Sequence, residues 1–157
     1  MFTINNELYF GTADGKVMKF FTDEKSVLSY NDNGEPISAI WETSDISERS
    51  FYKNKNYRYI AVRCPAETVS SIQIFAQANG IWRPIKEDNV TLKYFSFKYL
   101  TFSKMTFSCN RTQRVTAAKM RLKKLDHVRF RFINDRFNEP FGINDFGIEY
   151  TQGGNRK

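Results

Sequence analysis

A serine or cysteine nucleophile needs a base beside it, usually a histidine held by a third polar group. The chain has one histidine, His127, and two cysteines, Cys64 and Cys109. His127 stands between Asp126 and the alternating run Val128-Arg129-Phe130, where it reads as a surface residue at a strand entry. Cys64 and Cys109 are far apart, with no spaced partners, and read as reduced, buried thiols. The set is too small for a zinc site or a disulfide scaffold. Paired carboxylates can hydrolyse glycosides without histidine, and Glu35, Glu42, Asp45, Glu48, Glu139 and Glu149 are the candidates. No spacing among them brings two together, and acids on the wet face of strands account for them. Phosphate-binding glycine loops are absent. Asn31-Asp32-Asn33-Gly34 lacks the spaced acids of a calcium loop and reads as a turn. No catalytic, metal-binding or cofactor-binding residue is therefore assigned, and an enzyme is not expected.

The constellation with most physical force is basic. Arg111, Arg114, Lys119, Arg121, Lys123, Lys124, Arg129, Arg131 and Arg136 are opposed between them only by Asp126 and Asp135, so this one segment carries the whole net charge of +7. On strands, Lys119, Arg121 and Lys123 share a face, and Arg129 and Arg131 lie opposite Val128, Phe130 and Phe132. If the two strands are neighbours, Arg111 to Arg131 form one positive patch for an acidic protein surface or for phosphate; otherwise the cations are the wet face of a sheet. Nucleic acid is not the favoured partner, because no groove-entering helix or RNA-platform motif accompanies the charge. A third constellation is aromatic: Trp41, Trp82, Tyr94 and Tyr99 are candidates for stacking on a glycan, although most rings in a small sandwich fill its core.

The elements that must position these residues are strands. The chain has 15 Phe, 8 Tyr and 2 Trp, a content that suits pleated, half-buried surfaces. Apolar residues recur with a period of two, and stripes at helical spacing are scarce. Glu7–Phe10 and Lys16–Phe20 flank Asp14-Gly15 and predict a hairpin. Asn33-Gly34 and Asn79-Gly80 mark two further turns. Strands are expected over Pro36–Thr43, Tyr57–Cys64, Val69–Ala78, Ile81–Ile85, Tyr94–Phe102, Ala117–Leu125, Val128–Ile133 and Phe146–Tyr150, with Met105–Cys109 as a continuation. In Tyr57–Cys64 the alternation sets Tyr57, Tyr59 and Ala61 against Arg58, Ile60 and Val62. Helix is confined to brief turns such as Asp23–Ser29. The fold class is all-β: an antiparallel, jelly-roll-like sandwich of about eight to ten strands. An N-terminal hairpin occupies 1–30 and the sandwich 31–157.

The first residues carry no basic segment and no signal-length apolar run, and no stretch approaches a membrane span. A soluble protein made in a cytosol, with no membrane partner, is expected.

Three stretches together carry a resemblance. Leu8-Tyr9-Phe10-Gly11-Thr12-Ala13-Asp14-Gly15-Lys16-Val17-Met18-Lys19-Phe20 resembles the hairpin that closes the β-propeller of certain phage tail proteins. Asn31-Asp32-Asn33-Gly34-Glu35-Pro36-Ile37-Ser38-Ala39-Ile40-Trp41-Glu42-Thr43 is similar to the segment that follows it. Phe130–Asp135, Glu139–Asn144 and Glu149-Tyr150 resemble the final strands of the same proteins. The order is the right one, and the stretches span about a quarter of the chain. The resemblance implies the C-terminal sandwich module of a tailed-phage or prophage tail protein of hub, nozzle or stabilisation type. It would be located in the virion after synthesis in the bacterial host cytoplasm, with other tail subunits and copies of itself as partners. It transfers no catalytic residue. The propeller itself is absent, so Met1–Phe20 is expected to be an orphan blade edge, open to pairing elsewhere.

Overall fold

The computed structural model describes residues 1–20, 30–48, 50–65, 71–88 and 114–155. The elements named among them are twelve β-strands, every pairing antiparallel. The stretches expected as strands at Tyr94–Phe102 and Met105–Cys109, and the helical turn at Asp23–Ser29, lie outside the described residues. No helix among the described residues is long and apolar enough to cross a membrane.

Strands β1 (Phe2–Ile4), β2 (Glu7–Gly11) and β3 (Val17–Lys19) form a sheet of their own in the order β1-β2-β3. The second hairpin is the expected one, closed by Gly15 at φ 82°. The first was not expected. Asn5 and Asn6, at φ 51° and 63°, make the left-handed pair that a two-residue hairpin requires, and asparagine is the residue besides glycine that enters this region most readily. A small hairpin follows, β4 (Asn31–Asp32) with β5 (Glu35–Pro36), turning on Asn33 and Gly34 at φ 48° and 88°. Asn31 Nδ2 donates to Asn138 Oδ1 at 2.8 Å and fastens it to the body.

That body is a β-sandwich. One layer has the order β10 (Arg114–Leu125), β7 (Lys53–Cys64), β12 (Asp145–Asn155). The other has the order β6 (Ala39–Glu42), β11 (Arg129–Asn134), β8 (Ile72–Ala78), β9 (Ile81–Asp88). The chain changes layer at β6–β7, β7–β8, β9–β10, β10–β11 and β11–β12, the alternation that a jelly-roll-like sandwich requires. Among the described sandwich strands only β8 and β9 are joined within a layer, through Asn79-Gly80 at φ 52° and 78°. Pro84, which cannot donate to a ladder, sits on edge strand β9 next to a register shift.

The inner faces meet in one core. Ile60 and Val62 of β7, Met120 and Leu122 of β10, Ile72, Ile74 and Ala76 of β8, and Phe130 and Phe132 of β11 are buried together. Phe146 of β12 lies 6.2 Å from Phe130 and 5.6 Å from Phe132, ring to ring, across the two layers. Burial of each such large side chain is worth about 1.5–3 kcal/mol, so these rings serve the interior, whereas Phe2, Phe20, Trp41, Phe51, Tyr52, Tyr59 and Phe137 are exposed.

One expectation about facing is overturned. Tyr57 is buried with Ile60 and Val62, whereas Tyr59 points outward at 39% exposure. Tyr59 pairs with Glu149 and Tyr57 with Tyr150, which leaves Arg58 without an opposite residue on β12. Arg58 is thus the extra residue of a bulge, and one inserted residue reverses every facing beyond it. On the other side β10 slips as well: Lys119 faces Tyr59, Leu122 faces Tyr57 and Leu125 faces Lys55. Lys124 absorbs the second slip at φ 57°, its N–H donating to Asn56 Oδ1 at 3.0 Å.

Candidate interaction surfaces

The basic segment does not make one patch. β10 and β11 are consecutive in the chain but lie in different layers, so their outward residues point to opposite sides of the sandwich. On the four-stranded side, both cations are committed. Arg129 Nε binds Asp45 Oδ1 at 3.0 Å, and Arg131 Nε binds Glu42 Oε1 at 2.6 Å. The Arg131 guanidinium also lies 4.1 Å from the centre of the Trp82 ring. A guanidinium gripped by a carboxylate and an aromatic face is a structural clamp.

On the three-stranded side the cations are exposed. Lys119, Arg121, Lys123 and Lys124 all face solvent, as does Arg58. Where the two bulges lie side by side the surface opens into a depression of about 320 Å³, lined by Asn56, Tyr57, Arg58, Met120, Arg121, Leu122 and Lys123. Tyr59 adjoins it, with the Lys119 ammonium 5.9 Å from its ring centre. Arg114 opens β10, and Arg111 lies outside the described residues.

The tryptophans do not form a joint stacking platform. Trp41 pairs with Phe132, stacks on it at 5.3 Å and meets Phe146 edge-on at 5.9 Å, so it lies at the rim of the interior. Trp82 pairs with Gln77 on the opposite face of the same sheet, where Arg131 covers it. Tyr94 and Tyr99 lie outside the described residues.

The candidates for chemistry stay apart. His127 Nδ1 is 2.9 Å from Asp126 Oδ1, a pair of chain neighbours in which His127 is exposed and Asp126 half-buried. Cys64 is buried at 3% exposure, and Cys109 lies outside the described residues. Glu42 and Asp45 hold arginines, while Glu35, Glu48 and Glu149 are exposed. No group of three or more metal-ligating side chains occurs among the described residues.

Two buried polar centres were not legible. Glu139, only 6% exposed, accepts on Oε2 from the Ser71 N–H at 2.8 Å, the Ser71 hydroxyl at 2.6 Å and Asn134 Nδ2 at 3.2 Å. It ties the segment after β11 to the start of β8. Lys55, 1% exposed, donates from Nζ to the carbonyls of Ser50 at 2.7 Å, Lys53 at 3.2 Å and Asp126 at 3.1 Å. Burial pushes this ammonium below its ordinary pKa, and the charges of Asp126 and Glu48 work against that shift. Three carbonyls consume all three donors of the ammonium, so Lys55 joins three segments.

The last surface is the separate sheet. One face carries Phe2 stacked on Tyr9 at 5.7 Å, with Ile4 and Val17, and Glu7 bridges Tyr9 and Lys19 across the strands. Phe2, Ile4 and Val17 are 44%, 51% and 66% exposed. The other face, with Phe10, Met18 and Phe20, borders a cleft of about 600 Å³ towards Ile37 and the β4–β5 turn.

No family model matches the chain, and a search of curated proteins returned no match.

Proposed function

We propose that this chain is a structural assembly domain that works by packing against neighbouring subunits. In keeping with the sequence resemblance, those subunits are those of a tailed-phage or prophage tail, and the domain acts in the virion. The observation that carries the reading is the β1–β3 sheet, which among the described residues is paired only within itself and presents Phe2, Ile4 and Val17 to solvent on one face. A three-stranded sheet gains independent stability from a covered apolar face, and exposed apolar clusters of this kind are where partners dock. Elsewhere on the described surface Arg129 and Arg131 are ion-paired, and further apolar side chains, among them Phe51, Ile81 and Val115, are exposed.

Light scattering after size-exclusion, with the chain alone and mixed with tail subunits, tests the reading. Self-association or retention of a tail subunit, diminished by Val17→Asp, is expected. A chain that stays monomeric at every concentration and retains no tail protein contradicts it.

A further inference from the structure

We infer that the β10 side of the three-stranded sheet binds the phosphate backbone of a nucleic-acid strand, a second activity beyond assembly. The two outer faces of the sandwich contrast in charge. Arg129 and Arg131 on one face are neutralised by Asp45 and Glu42, whereas among the described residues Arg58, Arg121 and Lys123 have no acid within ion-pairing distance. The fold nevertheless gathers these three around a single depression. Like charges held close together repel, and an arrangement of this kind becomes favourable when an anion sits among them.

Geometry narrows the anion. Lys119, Arg121 and Lys123 recur at every second residue, which on a regular strand is about 6.6–6.8 Å and is shortened where β10 slips in this stretch. The regular spacing is roughly twice the ~3.4 Å axial spacing of charges on one DNA strand. The row therefore meets alternate phosphates of a stacked strand, or successive ones of an extended strand. The bulge at Arg58 adds a fourth cation from the neighbouring strand. Tyr59, 39% exposed between Lys119 and Glu149 in the register, supplies a ring on which a base can stack, a feature that an acidic peptide would not use. Beside it the row Ala117, Ala61 and Gly147 leaves a flat floor. Acids occur on the β12 side, at Glu149 and at Asp145, which Arg63 holds at 3.0 Å. Charge is thus graded across the sheet, and the nucleic-acid strand runs along β10. Nothing in this surface reads base edges, so binding is independent of sequence.

Fluorescence anisotropy of the full chain with a labelled oligothymidine, and with a duplex of equal length, tests this. Binding of the single strand is expected to be the tighter, with a log–log salt slope of about −3 for four cations. Arg121→Gln with Lys123→Gln should weaken it at least tenfold and bring the slope to about half, and Tyr59→Leu should weaken the single strand more than the duplex. Arg129→Gln, on the opposite face, loses a charge but leaves binding unchanged. Absence of binding at low salt, preference for the duplex, equal loss in Arg129→Gln and Arg121→Gln, or equally tight binding of polyglutamate would each overturn the inference. The last outcome would assign the face to an acidic protein instead.

Discussion

Tyr57 shows what a single buried group contributes. Its hydroxyl donates to the Ile46 carbonyl at 3.2 Å, and burial pushes its pKa up to about 12 from 10.0. Below pH 10 the folded and unfolded chains both keep the proton, and Tyr57 adds no pH dependence. Between about pH 10 and 12 the unfolded chain releases a proton that the fold retains, so stability falls as pH rises, by roughly 1.4 kcal/mol per unit. Denaturant titrations at pH 9.5 and 11.5 should show this fall, and Tyr57→Phe should flatten it. Lys55 acts with the opposite sign: its lowered pKa makes burial a cost that is relieved as pH approaches 10.5 from below. Removing its headgroup is worse than keeping it. Lys55→Met leaves three part-buried carbonyls without their donor and is expected to destabilise by about 1–3 kcal/mol in urea unfolding. Neither role was visible in the residues themselves. Lys55 lies in a polar run, Asn54-Lys55-Asn56, and only the fold brings Ser50 and Asp126 to it.

At the scale of elements, the turns were legible and the slips were not. Asp14-Gly15, Asn33-Gly34 and Asn79-Gly80 announce their hairpins because positive φ demands those residue types. Asn5-Asn6 obeys the same rule, but without glycine the pair carries no distinct turn signal. The bulge at Arg58 leaves no mark in composition, and so the facing of Tyr57 and Tyr59 was misread from a period of two. The basic run was legible as a charge but not as two faces, since Asp126–His127 carries the chain from one layer to the other. Two substitutions probe these junctions. Lys124→Gly should stabilise by about 0.5–1 kcal/mol, because a residue at φ 57° bears strain that glycine does not. Glu139→Ala should cost about 2–3 kcal/mol by stranding the buried N–H and hydroxyl donors of Ser71, while Asn134 Nδ2 keeps the Ser71 carbonyl at 2.9 Å. Thermal unfolding of both variants would check the opposite signs.

For the whole molecule, composition and periodicity were enough to establish an all-β sandwich, because rings and alternation have few other uses in a chain of this length. What they could not establish is which surfaces remain uncovered, which depends on the layer each strand joins. The β1–β3 sheet is the surface on which the assembly reading stands, and amide hydrogen exchange tests it most directly. Exchange of the full chain is compared at concentrations below and above its association, or with and without a tail subunit. The prediction is that Phe2–Ile4, Glu7–Gly11 and Val17–Lys19 exchange readily in the isolated chain and become protected on assembly, while the sandwich strands change little. Equal exchange of those segments in the two states, with complex present, would contradict it.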